Sequence, residues 1–218
     1  MWAQAQIVPD DFVWAAGEIV DDGILKGLRC GPGAVGQLVL ADALATNSVK
    51  AIVTGEGGDE LFGGYARMMI ATGNGVPAGY EDYVLPEDYP NSLGQILDYE
   101  WRALATLCAV DERIAAARRV QVFTPMLDPW LVAAVHQCAP SRRLGKVLLR
   151  EAMEGVLPDA ILARTDKAGF PVPFVAWAQQ EPVRGFLLGR IGYTPEPDKP
   201  WDRQWWCDLL DSDPNPRP

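Results

Sequence analysis

A helix-rich α/β fold with a partial parallel sheet is predicted by three observations. Ala51-Ile52-Val53 is a short apolar, β-branched run that reads as a buried strand and stops at Thr54-Gly55. Apolar residues recur at helical spacing over long stretches on both sides of it, for example Leu93, Ile96, Leu97, Trp101, Leu104 and Leu107. Directly after the strand, glycines crowd the chain at Gly55, Gly57, Gly58, Gly63 and Gly64. Glycines at a strand's carboxyl end let backbone approach a ligand closely, and in an open α/β sheet that is where ligands bind.

The elements follow in order. Residues 11 to 28 read as a helix, with Phe12, Ala15, Ala16, Ile19, Ile24, Leu25 and Leu28 on its apolar face, broken by Gly31-Pro32-Gly33. A second helix over Ala34 to Ala45, with Leu38, Val39, Leu40 and Leu44, feeds the strand at 50 to 53. A helix starts near Glu60, with carboxylates at its positive end. The Gly-, Pro-, Tyr- and acid-rich stretch 72 to 93 reads as a long surface loop, a lid or partner contact in one reading and plain surface in the other. A helical layer then runs to Gln180, including Met126 to Cys138 and Gly145 to Met153. In the last of these, Lys146 and Arg150 stand four apart on one face, either aimed together at an anion or paired with acids. The expected organisation is a partial nucleotide-binding region at 1–71, the loop at 72–93, helices at 94–180 and a tail at 181–218. Trp201, Trp205 and Trp206 in the tail either mark an interface or pack back on the domain.

Composition narrows the function classes. At 218 residues and 49% hydrophobic, the chain buries a sizeable core and is not a disordered polymer. A net charge of −10 disfavours nucleic acid and anionic membrane as partners, since both call for a basic patch. No apolar run is long enough to cross a membrane, and the first residues lack a signal-peptide pattern. Cys30, Cys108, Cys138 and Cys207 are scattered without a Cys-x-x-Cys, so a reduced, cytoplasmic protein is expected rather than a zinc or redox site. The single histidine, His136, lies in an apolar helical run and reads as structural, which leaves no Ser-His-Asp or Cys-His system.

The chemistry sits in two stretches. Residues 54 to 65 hold Glu56, Asp59 and Glu60 among the glycines. Three acids would repel a bare phosphate, but they suit a divalent cation placed between them and the phosphate, because Mg²⁺ is usually held by one or two carboxylates plus phosphate oxygens. The bland alternative is a Gly-rich turn with solvated acids. Residues 164 to 174 carry Lys167 on a segment stiffened by Pro171 and Pro173. A lysine so held can meet a phosphate or a developing oxyanion; taken alone it is an ordinary surface lysine.

Together these stretches resemble the synthetase domain of asparagine synthetase and its relatives, such as β-lactam synthetase and lasso-peptide cyclase. The family's Ser/Thr-Gly-Glu-Gly-x-Asp-Glu-Leu-Phe-x-Gly-Tyr block is matched from Thr54 to Tyr65. Its Pro-x-Leu-Asp is matched at Pro125 to Asp128, and its Lys-x-x-Leu-Arg at Lys146 to Arg150. Leu157-Pro158 then precedes an Arg-x-x-Lys-x-Gly-Phe-x-x-Pro block from Arg164 to Pro173. The resemblance covers roughly residues 35 to 180. It implies the sheet of an adenine-nucleotide alpha-hydrolase-like (ATP pyrophosphatase) domain followed by a helical layer.

By the same resemblance, ATP would activate a carboxylate to an acyl-adenylate, and an amine would attack to give an amide. Asp59 would bind Mg²⁺, Glu56 would lie near the amine or adenylate, and Lys167 would meet charge on phosphate or the tetrahedral oxygen. Thr54, Gly55 and Gly57 would line the nucleotide. The family's upstream Ser-Gly-Gly-x-Asp-Ser phosphate loop is not found in these residues. Position 2 is Trp where glutamine-dependent members carry Cys, and Gln121 and Phe123 stand where Glu-x-Arg is usual. The chain therefore looks like the C-terminal part of a synthetase domain. ATP and Mg²⁺ would bind only once a partner, either an N-terminal half-domain or a second copy, completes the site. A non-catalytic binding or regulatory protein on the same fold is the alternative.

Overall fold

The computed structural model describes residues 7–21, 23–25, 28, 33–77, 80–164 and 173–191. Among them the chain is helix-rich with a small parallel sheet of two strands, as the sequence predicts. The elements are α1 (Pro9–Asp21), α2 (Gly33–Thr46), β1 (Ala51–Val53), α3 (Gly58–Phe62), α4 (Ala66–Ala71), α5 (Leu93–Ala117), β2 (Gln121–Phe123), α6 (Pro129–His136), α7 (Pro140–Arg143), α8 (Val147–Ala152), α9 (Asp159–Leu162), α10 (Phe174–Ala178) and α11 (Val183–Ile191). Single 3₁₀ turns at Pro125–Leu127 and Leu144–Lys146 precede α6 and α8. The chain divides into two compact units, whose described residues are 7–52, 106–123 and 173–191 in the first, and 53–105 and 124–164 in the second.

In the first unit, α1 places Phe12, Ala15, Ala16 and Ile19 on one face, all at most 1% exposed. They pack with Val35, Leu38 and Val39 of α2, Val110 and Ile114 of α5, and Val183 and Leu187 of α11. Arg118, just beyond α5, ties two helices together by pairing with Glu18 of α1 and Asp42 of α2. The Asp11 carboxylate accepts from the Val8 amide at 2.9 Å and closes the start of α1. The helix ends at Asp21, short of the predicted residue 28, and Gly23 is left-handed at φ 66°. Leu25 lies beyond the helix yet is fully buried, so the apolar pattern runs past the helix because a turn also buries its residues.

The sheet carries two corrections. In both strands the outer residues are exposed and the middle one half-buried, so the run Ala51 to Val53 is not a buried strand. Val53 is 73% exposed and Phe123 48%. β2 falls where the sequence reading expects only helices. Its three residues are too few for alternation to show, and it forms through pairing with β1, beginning with the Gln121 amide donating to the Lys50 carbonyl at 2.9 Å.

The second unit has two small apolar clusters. One gathers Met68, Tyr89, Ile96, Leu97 and Leu144; the other gathers Leu61, Phe62 and Val135 against Trp101, Met126, Leu131 and Leu148. The expected helix from Met126 to Cys138 is interrupted. Asp128 caps α6 by accepting from the Trp130 and Leu131 amides, so the chain turns before the helix begins. The expected helix from Gly145 is interrupted too. Gly145 and Lys146 are both left-handed, at φ 68° and 61°, and α8 starts only at Val147.

Candidate functional site

The chain leaves β1 through Thr54 and Gly55 and turns over Glu56 and Gly57, where the Gly58 amide donates to the Gly55 carbonyl at 3.1 Å. Gly57 is left-handed at φ 85°, and a Cβ there would come within 2.5 Å of the Leu127 side chain. Its glycine therefore has a packing reason. Gly55 faces open space, with nothing within 4 Å of the point where a Cβ would stand. The Thr54 hydroxyl is buried without a hydrogen-bond partner. Glu56 is half-buried in the turn.

α3 is five residues long and is bounded by left-handed glycines at Gly57 and Gly63. Its carboxyl end is closed by Arg143, which is 5% exposed and donates from Nε to the Leu61 carbonyl at 2.7 Å. Burial holds the Arg143 guanidinium below its usual pKa. The Gly145 amide donates to the Gly63 carbonyl at 2.8 Å, which locks the approach to α8 against the end of α3.

That lock brings Lys146 over Asp59. The Lys146 ammonium lies 2.7 Å from Asp59 Oδ1, with the side chains 32% and 21% exposed. The pair rests on the bare Cα of Gly64: a Cβ there would fall 1.9 Å from Asp59 Oδ1 and 2.2 Å from Lys146 Cε. The two adjacent glycines thus do different jobs. Gly63 supplies the left-handed turn and Gly64 leaves space for an ion pair. Of the two readings for Lys146 and Arg150, the structure shows Lys146 paired with an acid, Asp59, and Arg150 donating to the Leu162 carbonyl.

A second polar chain starts one residue after Asp59. Glu60 is 2% exposed and accepts from the Tyr65 hydroxyl at 2.5 Å. The Arg67 guanidinium lies over the Tyr65 ring, 4.0 Å from its centroid. Arg67 makes a fork of two bonds to Glu100, at 2.5 and 2.6 Å, and the Tyr89 hydroxyl donates to the same carboxylate at 2.6 Å. Burial, then the hydrogen bond to Glu60, then the charges of Glu60 and Asp59 push the Tyr65 phenol well above its usual range. Burial and the bond to Glu100 do the same for Tyr89.

These shifts set an alkaline limit. A phenol whose pKa is raised by folding adds stability that is complete below the unfolded value of about 10 and is lost as pH rises through the folded one. Of the six tyrosines, Tyr65 and Tyr89 are expected to ionise only well above that value in the native protein. Tyrosinate absorbance should therefore rise later in native than in denatured protein, and stability should fall above about pH 10. Native and denatured titrations that coincide would refute the assignment.

The residues bear on a metal in one way. Among the described residues no group of three or more His, Cys, Asp or Glu could hold an ion. Asp59 offers one carboxylate beside an ammonium, and a buried, unbonded threonine hydroxyl lies nearby in sequence. That donor set fits Mg²⁺ only in company with phosphate oxygens, which is how Mg²⁺ is commonly held. Thr54, Gly55, Glu56, Gly57 and Asp59 all lie on one short stretch of the second unit. Lys167 lies outside the described residues, as do Trp201, Trp205 and Trp206 and the part of the tail beyond residue 191. The cation that the structure places on Asp59 is Lys146, which periodicity alone could not assign. The other residues missed are Tyr65, Arg67, Glu100 and Arg143; the only hint in the chain was a tyrosine and an arginine directly after a Gly-Gly pair.

The described cysteines, Cys108 and Cys138, form no disulfide. His136 stacks edge-on against Trp101 at 5.6 Å, in keeping with a structural residue. No described helix is long and apolar enough to cross a membrane. No curated protein matches the chain. The family description of asparagine synthase matches residues 4–201, most of the sequence and all four of its motif blocks. With the acid, the cation and the two glycines of those blocks assembled around α3, the chain belongs to the asparagine synthase family.

Proposed function

We propose that this chain forms an amide bond through an acyl-adenylate, using ATP and Mg²⁺, as one part of a site completed by a polypeptide that carries the phosphate loop. The family supports ATP-dependent, asparagine synthetase-like amidation. The observation that carries the finer reading is the Asp59–Lys146 pair seated on Gly64 at the end of the Gly-rich block. In this reading Asp59 holds Mg²⁺ together with phosphate oxygens. An ion held there would supply neutralising charge to the phosphates. Lys146 and Lys167 present positive charge to phosphate or to the tetrahedral oxygen, and the backbone at Thr54 and Gly55 lines the adenosine. Glu56 would lie near the incoming amine or the adenylate. Catalysis here is positioning and electrostatic stabilisation more than proton transfer. The substrates are a small carboxylate and an amine.

The test is ATP turnover to AMP and pyrophosphate by the purified chain, with and without a polypeptide bearing Ser-Gly-Gly-x-Asp-Ser. Alone, the chain is expected to release no AMP at a useful rate; with the loop-bearing partner, release is expected and Asp59→Asn should abolish it. Robust AMP release by the chain alone, abolished by Lys167→Ala, would overturn the need for a partner. No release in any mixture would favour a non-catalytic binding or regulatory protein.

A further inference from the structure

We propose that the outer edge of β2 is a docking surface for a second copy of this chain, which pairs there antiparallel, Val122 to Val122, across a two-fold axis. The proposal stands on residues of the first unit alone and is independent of the nucleotide reading.

The direction of the backbone groups comes first. The Gln121 amide donates to the Lys50 carbonyl at 2.9 Å, so Gln121 turns its N–H and C=O toward β1. Successive residues of a strand turn these groups to opposite sides, so Val122 turns its own pair away from β1. No described strand lies on that side, since the sheet has two strands. A groove of about 490 Å³ runs along the edge instead, lined by Glu112 and Ala116 of α5 and by Arg119, Val120, Gln121 and Val122. An edge with one outward residue is completed by its own copy. Residues directly opposite in an antiparallel pair exchange both N–H···O bonds, so the two Val122 residues satisfy each other. Gln121 then faces Phe123 of the second copy, and the 48% exposed Phe123 ring gains a cross-strand cover.

Charge selects the occupant. The chain carries −10, so two copies repel over most approaches. The groove holds one acid and one base and is neutral as a whole. Glu112 and Arg119 are both exposed, and among the described residues neither belongs to an ion pair. A two-fold axis reverses their row, which turns the acid of each copy toward the base of the other. Arg119 also holds its place against its own backbone. The Arg119 and Val120 amides donate to the Ala116 and Ala115 carbonyls at 2.9 Å each, a helix closure in which glycine usually takes the left-handed position. Arg119 takes it at φ 58°. Glycine would close the helix with less strain, and what arginine adds is a charge in the groove.

Such a short strand makes a small interface, with a Kd on the order of 10 μM. Sedimentation velocity of the full chain between about 1 and 200 μM should show it pass from monomer to dimer. Val122→Pro removes the outward N–H, which an edge strand tolerates, and should weaken the dimer about tenfold or more. Arg119→Gly should weaken it about fivefold, while the thermal midpoint of the dilute chain holds or rises. If Arg119 serves only to close α5, that midpoint falls, the dimer is unmoved and the proposal is overturned. Glu112→Arg and Arg119→Glu should each weaken the dimer, and the two together should restore it to within about threefold of wild type. A wild-type monomer throughout the range, a dimer indifferent to Val122→Pro, or a double charge variant no better than either single one would overturn the proposal. So would a chain that never dimerises but loses its binding to the Ser-Gly-Gly-x-Asp-Ser polypeptide on Val122→Pro, because the edge would then belong to that polypeptide.

Discussion

Gly63→Ala is expected to lower the stability of the second unit by about 3 kcal/mol, seen as a fall of roughly 10 °C in the thermal midpoint. Two costs add. Gly63 is left-handed at φ 60°, which costs a residue with a Cβ about 1 kcal/mol. Its Cβ would also stand 2.8 Å from the Leu144 Cα and 3.2 Å from the Leu144 amide nitrogen. Both are backbone atoms, fixed by the Gly145-to-Gly63 hydrogen bond, so they cannot swing aside as a side chain could. Overpacking of that kind costs about 2 kcal/mol. Gly73→Ala is the control. Gly73 has a similar φ of 68° but nothing within 4 Å of its Cβ position, so it should lose only the conformational part, about 1 kcal/mol. Equal losses at the two positions would show that the contact with Leu144 does not matter. Because the same contact carries Lys146 to Asp59, Gly63→Ala should also lower AMP release in the mixture with the loop-bearing polypeptide, whereas Gly73→Ala should not.

The contrast between those two glycines shows what was legible in the chain. Both read as turn glycines, and composition cannot tell a left-handed residue in open space from one pressed against another backbone. The Gly-rich block announced itself because its residue types are costly unless a tight turn or a ligand requires them. Lys146 did not, because its value lies in a partner far along the chain, and its four-residue offset from Arg150 pointed to a helix that Gly145 in fact interrupts. β2 was illegible for a related reason. Gln121-Val122-Phe123 has no pattern of its own and becomes a strand only against β1. The extent of α2 and the start of α5 were legible, and Leu38, Ile96, Leu97 and Leu104 are buried as expected, whereas Leu40 and Leu107, read as apolar-face residues, are exposed at 39% and 45%. Asp128 ended one helix and began another by capping, a local signal that the surrounding apolar residues masked.

The polar chain beside the site carries the other large effect. Arg67→Met is expected to destabilise the second unit by about 3 kcal/mol at neutral pH. Glu100 is 1% exposed and is held by the Arg67 fork and the Tyr89 hydroxyl. Removing the guanidinium leaves a buried carboxylate with a single neutral donor, and an uncompensated buried charge is what makes broken ion pairs costly. Arg67 itself is 33% exposed, which keeps the figure at the lower end of such losses. Denaturant unfolding of variant and wild type at neutral pH measures the loss. Arg67→Met combined with Glu100→Gln removes the charge while leaving an amide oxygen to accept from Tyr89, and should recover more than half of the loss. A double variant no better than the single one would mean that the lost packing of Arg67 over the Tyr65 ring, not the charge on Glu100, decides the stability of this corner.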